Sequence, residues 1–287
     1  VTSGDIMNNN NYTHSQKDNI QKELIEKLYK MYAIKNRSDY TGSILKCECI
    51  INNERGIFKE RYSMRSKDHI MEQIVFELSQ LLGVNCCKAS CRKVNDIYGS
   101  FSRFEVADIN NVVPLSEYLN ASELHADDLL ETIINKSRGI INNIVVNLYQ
   151  YIIFDYITGQ HDRHLENISI YKNMNNRTIV MYPLYDNGLC CFSIYNNEDA
   201  IERLQKRFYP SRMGSSDEIM DAIIKYRHII YPDNLINIIQ YNNVNKDIIM
   251  NIINRSDKYK QMKPDRKEAI AEFILSQIKD IHNINRG

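Results

Sequence analysis

The chain has 287 residues with 36 basic and 36 acidic side chains, so its net charge is zero. A nucleic-acid surface would bring a basic excess, and no direct nucleic-acid partner is expected. Hydrophobic residues make up 43%, yet no apolar run reaches the roughly 18 residues that a membrane span requires, so no span is expected either.

The first residues, Val1 to Met7, carry no basic and apolar leader, which sets the expectation of a cytoplasmic protein. Ile20, Leu24, Leu28 and Met31 recur at helical spacing, predicting an amphipathic helix over 17–33. From Ser43 the period shortens. Ser43 to Ile51 and Gly56 to Arg61 read as strands of a hairpin turned by Asn52 to Arg55. Asp68 to Leu82 returns to helical spacing, with Gly83 as its stop. Val84 to Val94 and Ile97 to Val106 read as two further strands, turned at Asn95-Asp96. Beyond Val112 the chain is mostly helical: 126–135, then 140–158, which is apolar nearly all round and so buried. Further helices are expected over 216–228, 232–243, 246–253 and 265–281. The seven cysteines have no metal-knuckle spacing and fall in strand-like apolar runs, so they read as small buried hydrophobes in a reducing compartment.

The helix ending near Thr158 runs into Gly159-Gln-His-Asp162-Arg163-His164-Leu-Glu-Asn167, answered by Leu184-Tyr185-Asp186-Asn187-Gly188. Between them, Ile168 to Tyr171 and Thr178 to Tyr182 form a hairpin, which returns Asp162, Asn167 and Asp186 to one end. Mg²⁺ takes few protein oxygens and leaves its other positions to water and phosphate. Protein kinases pair an Asp near the attacking hydroxyl with an Asn and a second Asp on the metals. Such chemistry also needs a strand lysine and a helix carboxylate to hold it. Lys59 is the lysine, and Glu72 is preferred to Glu77 on the following helix. Gly42 and Ser43, in the segment Arg37 to Ser43, form the candidate nucleotide-covering loop, whose hydroxyls are candidate phosphorylation sites. His161 and His164 flank the loop in structural or phosphate-facing roles. Arg203, Lys206, Arg207 and Arg212 make 201–215 basic, either an activation or substrate segment or a solvated helix face.

The Asp-Arg-His-x2-Asn loop with Pro-Leu-Tyr-Asp resembles the HipA-type and CtkA-type atypical bacterial serine/threonine kinases. The same loop signature also resembles phosphatidylinositol kinases. The pattern Glu72-x6-Ser79-x3-Gly83 is similar to the HipA stretch after the lysine strand. The resemblance implies an α+β, protein-kinase-like bilobal fold with a small β-rich N-lobe and a larger, mostly helical C-lobe. The expected boundaries are a tail and helix over 1–35, the N-lobe over 36–111 and the C-lobe over 112–287. It implies ATP and Mg²⁺ as cofactors and Asp162 as the base or hydroxyl-positioning residue, with His164 beside it in the catalytic set. Asn167 and Asp186 would hold the metal, and Lys59 the α/β phosphates. Phe104 to Asp108, with Glu105 and Ala107, would form the adenine-facing hinge. The implied partner is a Ser/Thr protein substrate, the chain itself included. An antitoxin or a host protein is a further expected partner, the latter if the chain is a translocated effector. Two departures stand out: Gln160 replaces the family's Asn as a loop brace, and Asp186-Asn-Gly is unlike the Asp-Phe-Gly of ordinary kinases. The alternatives are a lipid kinase and an inactive nucleotide-binding pseudokinase acting as an interaction module.

Overall fold

Two residues turn the first hairpin. In the computed structural model, which describes residues 46–94, 96–140, 142–174, 177–230 and 244–284, strand β1 (Lys46–Ile51) pairs antiparallel with β2 (Glu54–Glu60). The linking Asn52 and Asn53 have φ of 51° and 63°. A two-residue hairpin turn of this kind needs positive φ at both positions, which Asn tolerates. The turn is therefore shorter than the expected Asn52 to Arg55, and Glu54 and Arg55 already belong to the ladder. The resulting register sets Lys46 opposite Lys59 and Cys47 opposite Phe58.

Helix α1 (Asp68–Leu82) comes next and ends at Gly83, whose φ of 72° is the left-handed cap that glycine supplies without a Cβ penalty. Strands β3 (Ala89–Val94) and β4 (Ile97–Arg103) complete a four-stranded antiparallel sheet in the order β1-β2-β4-β3. Side chains alternate across it. Cys47, Cys49, Phe58, Val94 and Phe101 cluster on one face, while Lys46, Lys59, Ser100 and Cys91 stand in register on the other. Helix α1 packs on β3 and β4. The strand expected from Val84 begins only at Ala89, because the backbone before it is used elsewhere. The Cys87 N–H donates to the Leu184 carbonyl (2.8 Å) and the Leu184 N–H to that of Asn85 (3.0 Å). This cross-tie lashes the sheet region to the residues just before Asp186. The fourth strand likewise stops at Arg103 rather than Val106.

The remainder is largely helical. Strand β5 (Val112–Pro114) and helix α2 (Leu115–Leu119), neither expected, lead to α3 (Ala126–Lys136) and α4 (Asn143–Thr158). Asn142 caps α4 by accepting the N–H groups of Ile144 (3.0 Å) and Val145 (3.2 Å), which starts the helix at 143 rather than 140. Strands β6 (Ser169–Asn173) and β7 (Thr178–Met181) form the expected hairpin, with β5 added at its edge in the order β5-β6-β7. Helix α5 (Asn197–Lys206), the small ribbon β8 (Pro210–Ser211) and β9 (Gly214–Ser215), and helices α6 (Ser216–Ile230), α7 (Lys246–Ser256) and α8 (Pro264–Ile284) complete the order. Helix α4 packs against α3, α6 and α8 and buries Leu148, Ile153, Phe154 and Ile157 completely. The architecture is α+β, a small antiparallel sheet region beside a larger helical part. The expected helices over 17–33 and 232–243 lie outside the described residues. All seven cysteines are buried and unbridged.

Candidate active site

Helix α4 carries a single carboxylate in an otherwise apolar last turn, Asp155, only 3% exposed. A buried charge has to find a partner. Arg163, itself 0% exposed, supplies it: Nε donates to Asp155 Oδ2 (2.8 Å) and Nη2 to Oδ1 (3.0 Å). The same guanidinium then reaches both neighbouring loops. It donates to the Asn167 carbonyl (3.1 Å), the Tyr185 carbonyl (2.8 Å) and the Asn187 side-chain oxygen (2.6 Å). Burial pushes the Asp155 carboxyl above its usual value while Arg163 opposes that. Asp155 in turn holds the guanidinium above its ordinary value against its own desolvation. Sequence reasoning passed over Arg163; the lone acid in the apolar helix was the available signal.

The helix closes at Gly159, with φ of 59°, where a Cβ would lie 2.9 Å from the Phe273 ring. Gln160, 1% exposed, braces both loops: its side-chain Oε1 accepts the Asp162 N–H (3.1 Å) and its Nε2 donates to the Asp186 backbone carbonyl (3.3 Å). Asn167 donates to the Asp162 carbonyl (3.3 Å). Two loops far apart in sequence are thereby held as one piece.

Across from them, Lys46, Lys59, Glu72, Asn167 and Asp186 line a cleft of about 340 Å³ between the sheet and the helical part. Its apolar share comes from residues such as Ile57, Phe104, Ile109 and Val112. Lys59 hydrogen-bonds Asp186 Oδ1 and lies 4.0 Å from Glu72 Oε1. The other Glu72 oxygen accepts the Asn187 N–H (3.0 Å). Gly188 lets this loop sit against α1, for a Cβ there would come within 3.1 Å of the Asp68 carbonyl and 3.3 Å of Glu72 Oε1. Glu77 faces away, accepting from Gln73 (2.8 Å), Ser256 (3.3 Å) and Arg255. Burial raises the Glu72 carboxyl to about 7, with Lys59 opposing. Burial pushes Asp186 the same way, but Lys59 and then Lys46 outweigh it and hold this carboxyl well below the usual range. Lys59 loses to desolvation, yet Asp186 and Glu72 keep it above its ordinary value.

Asp162 stands apart from this paired set, with a side chain 40% exposed and Arg212 Nη1 3.7 Å away. Arg212 also pairs with Glu123 (2.7 Å). The rest of the basic segment is engaged locally. Lys206 pairs with Glu202 (2.5 Å), Arg207 bonds Gln277 (2.9 Å), and Arg203 lies over the Tyr195 ring (4.3 Å). His161 is a packing residue, stacked on Phe192 at 6.1 Å and 16°. His164 is half-buried beside Asp162, and its carbonyl accepts the Asn167 N–H (2.9 Å). In the connector, Phe104 and Ile109 line the cleft. Glu105 is instead committed to Arg103 (2.7 Å) and the Lys88 N–H (2.9 Å), and the Ala107 carbonyl accepts from Arg55 (3.5 Å). Gly42 and Ser43 lie outside the described residues.

Asn167 and Asp186 offer one amide and one carboxylate oxygen donor to the same cleft. Among the described residues no group of three or more His, Cys, Asp or Glu forms a metal cage. That donor set fits Mg²⁺, which is completed by phosphate and water oxygens, rather than a metal held by protein alone. The cleft thus combines charged and apolar side chains in its lining.

Neither the known family models nor the sequences of characterised proteins give a match to this chain. Solved structures do. The Helicobacter pylori proinflammatory kinase CtkA superposes with a TM-score of 0.64 over 88% of this chain and 95% of that one, at 14% identity. HipA of Shewanella oneidensis MR-1, solved with HipB and operator DNA, gives 0.48 at 13% identity, covering 92% of this chain and 70% of its own. Hydra Fam20, solved with sugar, gives 0.49 at 12% identity, with 90% and 87% covered. The chain shares the fold of the CtkA kinase.

Proposed function

We propose that the chain is an ATP- and Mg²⁺-dependent serine/threonine protein kinase of the HipA and CtkA type, with its own hydroxyls among its substrates. One observation carries the reading: Lys59 of β2, Glu72 of α1 and Asp186 beyond β7 meet in a single cleft. Phosphoryl transfer is mostly positioning and charge neutralisation, and this set supplies both. In this reading Glu72 keeps Lys59 in place for the nucleotide phosphates. Asn167 and Asp186 hold Mg²⁺, which neutralises phosphate charge when bound. Asp162, open to solvent, takes the proton of the incoming hydroxyl. The apolar residues Ile57, Phe104 and Val112 receive the base and exclude water around it.

Incubation with Mg²⁺ and γ-labelled ATP, alone and with a generic basic protein, tests this beside Asp186→Asn. The expected result is label on Ser or Thr, located by peptide mapping, in the native chain and none in the variant. Equal labelling of both would sink the role of Asp186. Tight nucleotide binding without any transfer to protein would turn the reading to a lipid substrate first and then to a nucleotide-binding pseudokinase.

A further inference from the structure

Glu72 reaches the cleft from α1, so its placement depends on what holds that helix. Glu77 lies five residues further on, about 140° round the helix, and points to the back. There it is 14% exposed and gathers three donors: Gln73 (2.8 Å), Ser256 (3.3 Å) and Arg255. Gln73 turns its own side-chain oxygen to the Cys91 N–H (2.9 Å), which carries the chain of bonds into β3. Near the start of α1, His69 is buried, and its Nε2 meets Gln261 Oε1 at 3.0 Å. Tyr259 adds an edge contact to Tyr98 of β4, with ring centroids 5.2 Å apart.

Arg255, Ser256, Tyr259 and Gln261 belong to one short stretch, the end of α7 and the turn after it. That stretch is stiff. Asp257, 2% exposed, accepts the N–H groups of Gln261 (2.7 Å) and Met262 (3.0 Å) and pairs with Lys267 of α8 (2.8 Å). A buried carboxylate satisfied in this way holds its surroundings in one arrangement. Helix α1 is thus fastened at His69 and at Glu77 to a single piece of the helical part, and Glu72 lies between the two fastenings. Lys59 and Glu72 are 4.0 Å apart, so a small shift of α1 would part them. Misplacement by about 1 Å can cost roughly 10²-fold in rate. We propose that residues 255–261 form a clamp that positions Glu72 for Lys59, with Glu77 and Arg255 as positioning residues. The catalytic side of this proposal rests on reading the cleft as a phosphotransfer site.

Amide hydrogen exchange of the nucleotide-free chain, read beside transfer from γ-labelled ATP with Mg²⁺, tests both parts. The proteins are the native chain, Arg255→Met, Arg255→Lys and the double variant Arg255→Met/Gln261→Ala. Exchange over 70–82 should quicken by about tenfold or more in the double variant, the size of a lost hydrogen bond, with 143–158 unchanged. Transfer should fall by about ten- to a hundredfold in the same variant. Arg255→Lys should keep most of the native rate. Unchanged exchange over 70–82 in the double variant overturns the clamp. Equal quickening in α4 also overturns it, because that marks a general loss of stability. Faster exchange with undiminished transfer removes the positioning role. A native chain without transfer defeats the kinase reading and the positioning role with it, while exchange still decides whether the stretch holds α1.

Discussion

Asp162 and Arg163 are neighbours in one loop and live in opposite environments. Arg163 is sealed behind the loops and makes hydrogen bonds to Asp155, Asn167, Tyr185 and Asn187. Asp162 stands at the front, 40% exposed, with Arg212 at 3.7 Å. The contrast separates two tasks. A buried, fully paired guanidinium fixes geometry, because moving any partner strands a charge in a low-dielectric interior. A half-exposed carboxylate is accessible from solvent. In this loop, the residue that positions and the residue proposed to react are one peptide bond apart.

That division can be broken by experiment, starting where the largest change is expected. Asp162→Asn should lower phosphate transfer by about 10²- to 10⁴-fold, the usual range for a lost general base, with an unchanged melting temperature. Full transfer in this variant would reassign the base. Arg163→Met should instead act on stability, lowering unfolding free energy by roughly 3–5 kcal/mol because Asp155 is left buried and unpaired. Urea unfolding measures it, and an unaltered midpoint would mean that Arg163 is not the staple described.

Glu72 sharpens the comparison through pH. Its carboxyl titrates near 7 in the folded chain against an ordinary 4.5, so the native state holds the extra proton between these values. The stability it lends is full below about 4.5 and is lost as pH rises through about 7. The change should be on the order of 1–3 kcal/mol, and Glu72→Gln should flatten that part of the profile. Unfolding curves at pH 5 and 8 decide it; an identical slope in both proteins would refute the assignment. Arg212→Ala should cost least, within about 1 kcal/mol, since both of its ion pairs are exposed. A large loss of stability there would make the front of the loop as structural as the back.

Much of the fold was legible because its signals are local. The period of apolar residues marked α1 from Asp68 to Leu82, and Gly83 marked its end. The alternation and polar break from Ile168 to Tyr182 marked the β6–β7 hairpin. Short elements such as β5 and α2 were not legible, since a few residues carry too little periodicity. Which of the two glutamates on α1 enters the cleft was not legible locally: Glu72 reaches the cleft and Glu77 reaches α7. The expected strand at Val84 failed because its backbone bonds go to Leu184, about a hundred residues away.

By itself, then, the sequence determined which residues form the elements and in what order the polar loops come after them. Propensity, periodicity and turn chemistry act over a few residues. Only the tertiary structure decided what those loops do together. A four-residue turn at Asn52 would have set Glu48 opposite Lys59; the two-residue turn sets Lys46 there instead and doubles the positive charge in the cleft. The pairing of Asp155 with Arg163 is likewise a consequence of burial, for neither charge can stay inside without the other.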